Sequence, residues 1–475
     1  MSALRTGIIA TVLVSCAPWG HAQNNSGEST AELSKRVSDL AALVQKLQTR
    51  VDELEGKLGT PAPPASGPAD ATQAPPAPGD LTQPVVATAA PPAATPAPAR
   101  TGAELLGGST VSFLFDGYYG YNFNQPIGRV NRLRAYDVLS NAFSLNQADI
   151  VFENAPDPDH GKRFGLRVDL QFGQATATLQ GSSSNEPRPD VYRNIFQVYG
   201  TYVFPVGGGL TVDFGKWASS LGIEGNYTKD QMNYSRSFLF DFLPFYHMGA
   251  RVNYKVNDKF ALNYWITNGT QQTEPFNGFK DQMFGFVVTP AKAFTWTVNY
   301  YLGMEHPDVE FLPNYPGNNL PTFQGVPFLP IPNSPDGKLD IFDSYFSWDA
   351  TKKLTFAAEG DYVLERLYTG SAPQHVSATA GYARYHFTPK FALAARTEYF
   401  SDRGGLYSGV TQALKEQTIT AQEIVADGLQ VFLEWRRDDS NQPYFYTNML
   451  NVLKKEQNTA TLGLVWWFGG KQGAW

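Results

Sequence analysis

Charged residues recur in this sequence two positions apart, each set between apolar or aromatic neighbours. Arg167 and Asp169 alternate with Leu166, Val168 and Leu170. Glu359, Asp361 and Glu365 have the opposite parity to Leu354, Phe356, Tyr362 and Leu364. Arg396 and Glu398 are set against Leu393, Thr397 and Tyr399, and Glu434, Arg436 and Asp438 against Leu433 and Trp435. Residues two apart share one face of a β-strand, so each segment reads as a strand with one charged and one apolar face. A further set of charges, Glu224, Lys229, Asp230, Arg236 and Asp241, occupies a polar stretch at 218–245, and Arg251 follows it in the next alternating segment. Charges ringing the inside of a pore set its ion preference. The plainer alternative is that Arg167–Asp169 and Arg396–Glu398 are salt bridges that only brace a wall.

No catalytic pattern competes with this reading. The sequence contains no HExxH, no GxSxG, no phosphate-binding glycine loop and no CxxC. The single cysteine, Cys16, lies in the leader, so a processed chain has neither disulfides nor thiol chemistry. His160, His247, His306, His375 and His386 are scattered singly. His247 has inward parity and no partner by sequence. No catalytic, cofactor-binding or metal-ligating set is therefore expected. The net charge of −7 argues against a nucleic-acid partner.

The elements that must position these charges are strands. From Val111 onward the sequence predicts 16 of them, the clearest carrying Val111, Phe113, Phe115, Gly117, Tyr119, Tyr121 and Phe123 on one face and Ser112, Asp116 and Asn122 on the other. The rest are predicted near 142–153, 163–174, 192–204, 210–217, 246–256, 260–269, 281–289, 293–303, 339–348, 354–365, 376–387, 391–401, 416–425, 429–438 and 457–468. Several have about the 9–11 residues that a tilted membrane-spanning strand needs. Tight connections such as 205–209, 257–259, 290–292 and 388–390 alternate with long ones such as 124–141, 218–245, 304–338 and 439–456. Short turns at one end and long loops at the other define a transmembrane antiparallel β-barrel of the outer membrane. The mean hydropathy of −0.29 fits, because inward polar residues dilute every lipid-facing run. Arg or Lys on the lipid face near the midplane would cost about 2–4 kcal/mol, so the charges belong inside. The aromatic end at Trp475, following an amphipathic last strand, resembles a barrel-assembly signal.

The first hundred residues are of another kind. Residues 1–22 read as a secretory signal, with Arg5, an apolar core from Gly7 to Val14 and a Gly20-His21-Ala22 cleavage site. Leu13-Val14-Ser15-Cys16 offers the rival of lipoprotein processing at Cys16; both export the chain. In 30–58, Leu33, Leu40, Leu47 and Leu54 alternate in a 4-3 spacing with Val37, Val44, Val51 and Leu58. This heptad run predicts a coiled coil. Residues 59–104 are almost wholly Pro, Ala, Thr, Gln and Gly and predict a disordered linker. An even strand count puts both barrel termini, and hence the coil, in the periplasm.

Several blocks resemble the β-barrel porin-2 family (OmpL-like): FGLRVDLQFGQ at 164–174, VFPVGGGLTVDFGKWASSLGIEG at 203–225, NYSRSFLFDFLPFYHMGARVNY at 233–254, YARYHFTPKFALAARTEYFSDRGG at 382–405 and LEWRRDDSNQPYF at 433–445. The resemblance implies an outer-membrane channel for small solutes, without fixing which. A coiled coil ahead of a porin also resembles the periplasmic extensions of some trimeric sugar porins.

The expectation is a passive porin for small hydrophilic solutes or ions, embedded in outer-membrane lipid as a homotrimer with a periplasmic stalk. The alternative is a structural barrel that anchors the coiled coil and tethers the membrane to the cell wall. Two finer expectations follow. Val111, Phe113, Phe115 and Tyr119 face outward while Asp116 faces the lumen. The 218–245 loop folds inward as the constriction, its carboxylates facing wall arginines such as Arg251 and Arg396 and its Phe238, Phe240, Phe242 and Phe245 packing on the inner wall.

Overall fold

The computed structural model describes residues 107–180, 186, 189–311, 322–323, 326–330, 337–366 and 370–469. The signal, coiled coil and linker expected from the sequence lie outside the described residues. The described chain closes into one antiparallel barrel of sixteen strands joined in sequence order. They are β1 Thr110–Asn122, β2 Ala142–Asn154, β3 Phe164–Phe172, β4 Ile195–Phe204, β5 Leu210–Ala218, β6 Tyr246–Asn257, β7 Phe260–Thr267 and β8 Asp281–Ala291. The second half comprises β9 Phe294–Gly303, β10 Leu339–Asp349, β11 Leu354–Glu365, β12 Gln374–His386, β13 Phe391–Arg403, β14 Gln412–Ala426, β15 Leu429–Ser440 and β16 Glu456–Gly469. The seam pairs β1 with β16, from Ser112 opposite Gly469 to Asn122 opposite Thr459. Closure leaves no edge strand with unpaired backbone groups, which is what lets β-structure stand in a hydrocarbon layer.

Strand parity follows the alternation of the sequence. In β13 the inward Ala392, Ala394, Arg396, Glu398 and Phe400 are buried, and the outward Leu393, Thr397 and Tyr399 are exposed. In β1, Asp116 is fully buried inside while Phe115 remains 46% exposed outside. An exposed apolar exterior over a buried polar interior is the reverse of a water-soluble sandwich, and lipid is the solvent that satisfies it. One irregularity departs from simple alternation. Between Asp116 and Gly117 the β1–β2 register shifts, and the bulge turns both Asn146 and Gln147 of β2 inward, fully buried.

Strand ends differ from the sequence expectation most at β14. It begins at Gln412 rather than 416, and the extension places Leu414, fully buried, on the inner face. Polar Gln412 and Lys415 disguise this part as loop, but it pairs regularly with β13 and β15.

Candidate functional site

The interior of the barrel is organised by the segment joining β5 to β6. It enters the lumen and is held by side chains from strands on nearly every side. At its start the backbone N–H of Gly222 donates to Asp343 Oδ1 at 3.2 Å, and that of Ile223 to Glu359 Oε2 at 3.1 Å. Its middle reaches the opposite wall. Thr228 Oγ1 and the Tyr234 hydroxyl donate to the two carboxylate oxygens of Asp116 at 2.6 and 2.7 Å. The Tyr227 hydroxyl donates to Asp169, and Gln147 Nε2 donates to the Asn226 carbonyl at 2.9 Å. Tyr234 fits because Gly463 of β16 lies against it; a Cβ there would approach the ring to 2.3 Å.

Two wall carboxylates grip the backbone directly. Glu434 accepts from the Tyr234 and Ser235 N–H groups at 2.7 and 3.0 Å. Glu398 accepts from Phe238 and Leu239, both at 2.8 Å. These last two N–H groups open a one-turn helix, Phe238–Phe242, whose N-cap Ser237 accepts from Phe240 N at 2.9 Å. The first N–H groups of a helix have no partner within it, so an anion placed there satisfies them. The helix also carries the aromatic packing expected of the loop: Phe238 and Phe242 lie edge-on to Phe400, with ring centroids 6.3 and 5.5 Å away. Phe240 packs on Tyr136 and Phe245.

The wall arginines complete the clamp. Arg396 pairs with Glu224 of the loop at 2.7 Å and with Glu416 of β14 at 3.2 Å, and donates to the Ser235 carbonyl at 2.7 Å. It does not pair with its strand neighbour Glu398, as a bracing salt bridge would require. Arg436 pairs with Asp438 at 2.7 Å and donates to the Arg236 carbonyl. Arg236 turns back on its own loop, donating to the carbonyls of Gly225, Tyr234 and Asn226 at 2.9, 2.8 and 2.9 Å. Arg167 does pair with Asp169, at 2.9 Å.

The remaining expected residues stand apart. Lys229 pairs with Asp230 at 2.8 Å, with the Asp230 side chain 24% exposed. Asp241 accepts from the Tyr407 hydroxyl at 2.7 Å. Burial pushes its carboxyl up from 3.8 to about 6, against the lowering effect of the Tyr407 hydroxyl and of Arg436. Arg251 does not face the loop carboxylates. It is bound by Asp213, its cross-strand partner on β5, at 2.7 Å. Strand pairing sets these two directly opposite each other. His247, unpaired by sequence, has Nε2 at 3.2 Å from Ser219 Oγ and packs between the rings of Trp265 and Tyr301.

Other participants were not singled out from the sequence. Asp343 and Glu416 follow from strand parity alone. Arg134, from the 123–141 connection, reaches Asp438 at 2.7 Å with its side chain fully buried. Tyr136 beside it donates to Asn226 Oδ1 at 2.5 Å. Nothing in the spacing of that connection marks which of its side chains turns inward.

A closed barrel with an apolar exterior, a polar interior and a long loop drawn into the lumen defines the class of outer-membrane porins. Residues 108–468 match the family described as "Putative beta-barrel porin-2, OmpL-like", and the chain belongs to that family. No curated relative matches the sequence. Solved structures of similar shape include the outer membrane channel DcaP of Acinetobacter baumannii (TM-score 0.49, 10% identity, 76% of this chain and 97% of that one). The anion-selective porin from Comamonas acidovorans gives a TM-score of 0.46 at 6% identity, over 76% and 99% of the two chains. The trimer form of OmpT from Vibrio cholerae gives 0.44 at 10% identity, over 76% and 100%.

Proposed function

We propose that the 218–245 loop sets the permeability of this passive outer-membrane diffusion channel for small hydrophilic solutes or ions. The observation that carries the reading is the grip of Glu398 and Glu434 on four loop N–H groups across the lumen. A loop held by backbone bonds to the wall has little freedom to leave it. Solutes then pass on the less crowded side, where Arg251, Asn253 and Asn263 keep solvent exposure. Arg167, Asp169, Glu224, Arg236, Glu359, Arg396, Glu398, Glu434 and Arg436 act by fixing the loop; Lys229, Asp230 and Asp241 add charge within it, Arg251 adds charge on the wall beside it, and Asp361 stands behind Glu359 on the same wall.

The test is removal of residues 226–235. The ends can rejoin, because Ser237 N already donates to Glu224 Oε2 at 2.7 Å. Single-channel conductance in planar bilayers should rise several-fold. Unchanged conductance in a folded, inserted deletion would put the narrowest point elsewhere.

Two further readings belong here. The channel reading assigns no catalytic role to the Ser219–His247 pair, since no side chain among the described residues is hydrogen-bonded to the ring so as to orient it as a base. We also propose a homotrimer, on the resemblance to trimeric porins, with the 30–58 heptads, which by themselves lean towards a dimer, contributing to its stability. Deleting residues 23–60 should lower the temperature at which oligomers dissociate in detergent; a full-length chain that is monomeric under native conditions would sink the trimer.

A further inference from the structure

Where the loop leaves β5, three carboxylates meet. Asp343 of β10 and Asp361 of β11 are direct cross-strand partners, and Glu359 lies one inward position away on β11. One oxygen from each lies within 4.8 Å of the others, and all three residues are buried. Like charges directly opposite on a sheet repel. No Arg, Lys or His forms an ion pair with any of the three among the described residues.

The partners they do have account for only part of their oxygens. Each Asp343 oxygen accepts one bond, from Gly222 N and from Asn299 Nδ2 at 2.7 Å, which leaves a second lone pair on each. Glu359 uses one oxygen, on Ile223 N, and its Oε1 has no partner. Asp361 is 95% shielded from solvent, and among the described residues outside the cluster neither of its oxygens has a hydrogen-bond donor. On the adjacent β12, the buried hydroxyl of Tyr382 is also unpartnered. Buried polar groups are ordinarily satisfied, and a gathering of unsatisfied ones calls for an ion or water.

We propose that Asp343, Glu359 and Asp361 form a calcium site that fastens the root of the loop to the wall. The donors are all hard oxygens, the set that Ca²⁺ and Mg²⁺ take in preference to softer metals. Ca²⁺–oxygen distances of about 2.3–2.6 Å let ligands on opposite sides of one ion stand up to about 5 Å apart. The cluster lies within that limit, and Mg²⁺, which dehydrates reluctantly and keeps several waters, suits a buried set of protein oxygens less well. Loop and ion share the same carboxylates. Gly222 has φ +82°, and a Cβ on it would come within 2.9 Å of Glu359 Oε1, the unpartnered oxygen. The glycine thus leaves the space beside that oxygen open. With Ca²⁺ bound, Asp343 and Glu359 are held in place to accept from Gly222 and Ile223.

A proton shared among the carboxylates is the competing occupant, and it predicts no response to calcium. The experiment uses full-length protein refolded without lipopolysaccharide, stripped by chelation and titrated with CaCl₂ at neutral pH by calorimetry. One Ca²⁺ per barrel is expected, with Mg²⁺ binding at least 10-fold more weakly. Asp361→Asn should weaken Ca²⁺ at least 10-fold, and this variant removes a repulsion, so it should still fold. Asp349→Asn, at the exposed end of β10, should leave binding unchanged. Hydrogen exchange at Gly222 and Ile223 should slow on adding Ca²⁺ in the wild type and not in Asp361→Asn. Absence of binding in the wild type, equal binding by Asp361→Asn, or exchange that ignores Ca²⁺ would overturn the site. None of these results bears on whether the loop limits conduction, which the deletion tests separately.

Discussion

The two sides of the lumen use charge differently. Along β13 to β15 the charged side chains are withdrawn from solvent and spent on the loop: Arg396 and Arg436 have side chains 0% exposed. Around β5 and β6 the Arg251–Asp213 pair keeps 24% and 11% of its side chains in solvent and, among the described residues, has no hydrogen bond or ion pair with the loop. Both sets read alike in sequence, as isolated charges on amphipathic strands. The difference teaches that inward parity alone does not make a charge visible to a passing solute. A buried carboxylate accepting two backbone N–H groups is a structural anchor, and its field is largely consumed by the dipoles it binds. The Arg251–Asp213 pair, which keeps contact with solvent, remains available to ions in the channel.

The sharpest way to break this contrast is Arg396→Ala. It leaves Glu224 buried without its cation, leaves Glu416 only its longer 3.6 Å pair with Arg436, and removes a donor to the Ser235 carbonyl. Removing one partner of a buried ion pair typically costs about 3–5 kcal/mol. That exceeds the hold of any single anchor, so the loop should detach. The expected outcome is a higher single-channel conductance and faster hydrogen exchange at Tyr234 and Ser235. The barrel itself, with its backbone ladder intact, should stay folded in detergent. If exchange at those amides is unchanged, the anchored side is no firmer than the open one.

The sequence made the anchored side partly legible. Alternation around Arg396, Glu398, Glu434 and Arg436 gave the inward face, and the same rule placed Asp116 inside and Phe115 outside, because a period of two is unambiguous over ten or more residues. The length and position of 218–245 gave the inward loop. What was not legible is which partner each charge takes. Arg396 skips Glu398, two residues away on its own strand, for Glu224, which is remote in sequence. Arg251 takes Asp213 because β5 and β6 set them opposite each other, a register that only the paired structure reveals. Arg134 comes from an irregular connection with no periodicity to read. The β2 bulge likewise turns Asn146 and Gln147 inward together, which strict alternation forbids. Facing the lumen does not make Asp116 accessible: it lies beneath Thr228 and Tyr234, so a cysteine placed there should react with water-soluble reagents only after residues 226–235 are removed.

A milder perturbation acts through pH. The Asp241 carboxyl, in the loop helix, is raised from 3.8 to about 6 by burial, with Arg436 and Arg134 lowering it and Asp137 raising it. An acid raised on docking favours the docked loop while protonated. Its contribution is full below the ordinary carboxylate range and is lost as pH rises through about 6. Exchange of the helix amides should therefore be slowest near pH 4, once corrected for the intrinsic pH dependence of exchange, and quicken towards pH 7. Asp241→Asn should flatten that profile. A wild-type profile already flat between those values would remove Asp241 from the anchoring of the loop.

The smallest structural effect, and the cleanest functional one, is expected from Arg251→Gln. The substituted amide can still donate to Asp213, so the temperature of barrel unfolding should fall less than for Arg396→Ala. Loop exchange should not change, since Arg251 has no hydrogen bond to the loop. What changes is the field in the open part of the lumen. Removing the cation leaves Asp213, bound also by Thr201 Oγ1 at 2.5 Å, as an uncompensated negative charge facing solvent. The reversal potential across a KCl gradient should shift towards cation preference, and the shift should shrink in high salt as the charge is screened. The matching substitution on the anchored side, Glu434→Gln, keeps an acceptor for the loop and should leave the reversal potential where it was while loosening the loop. If Glu434→Gln moves selectivity and Arg251→Gln does not, the assignment of the two sides is reversed.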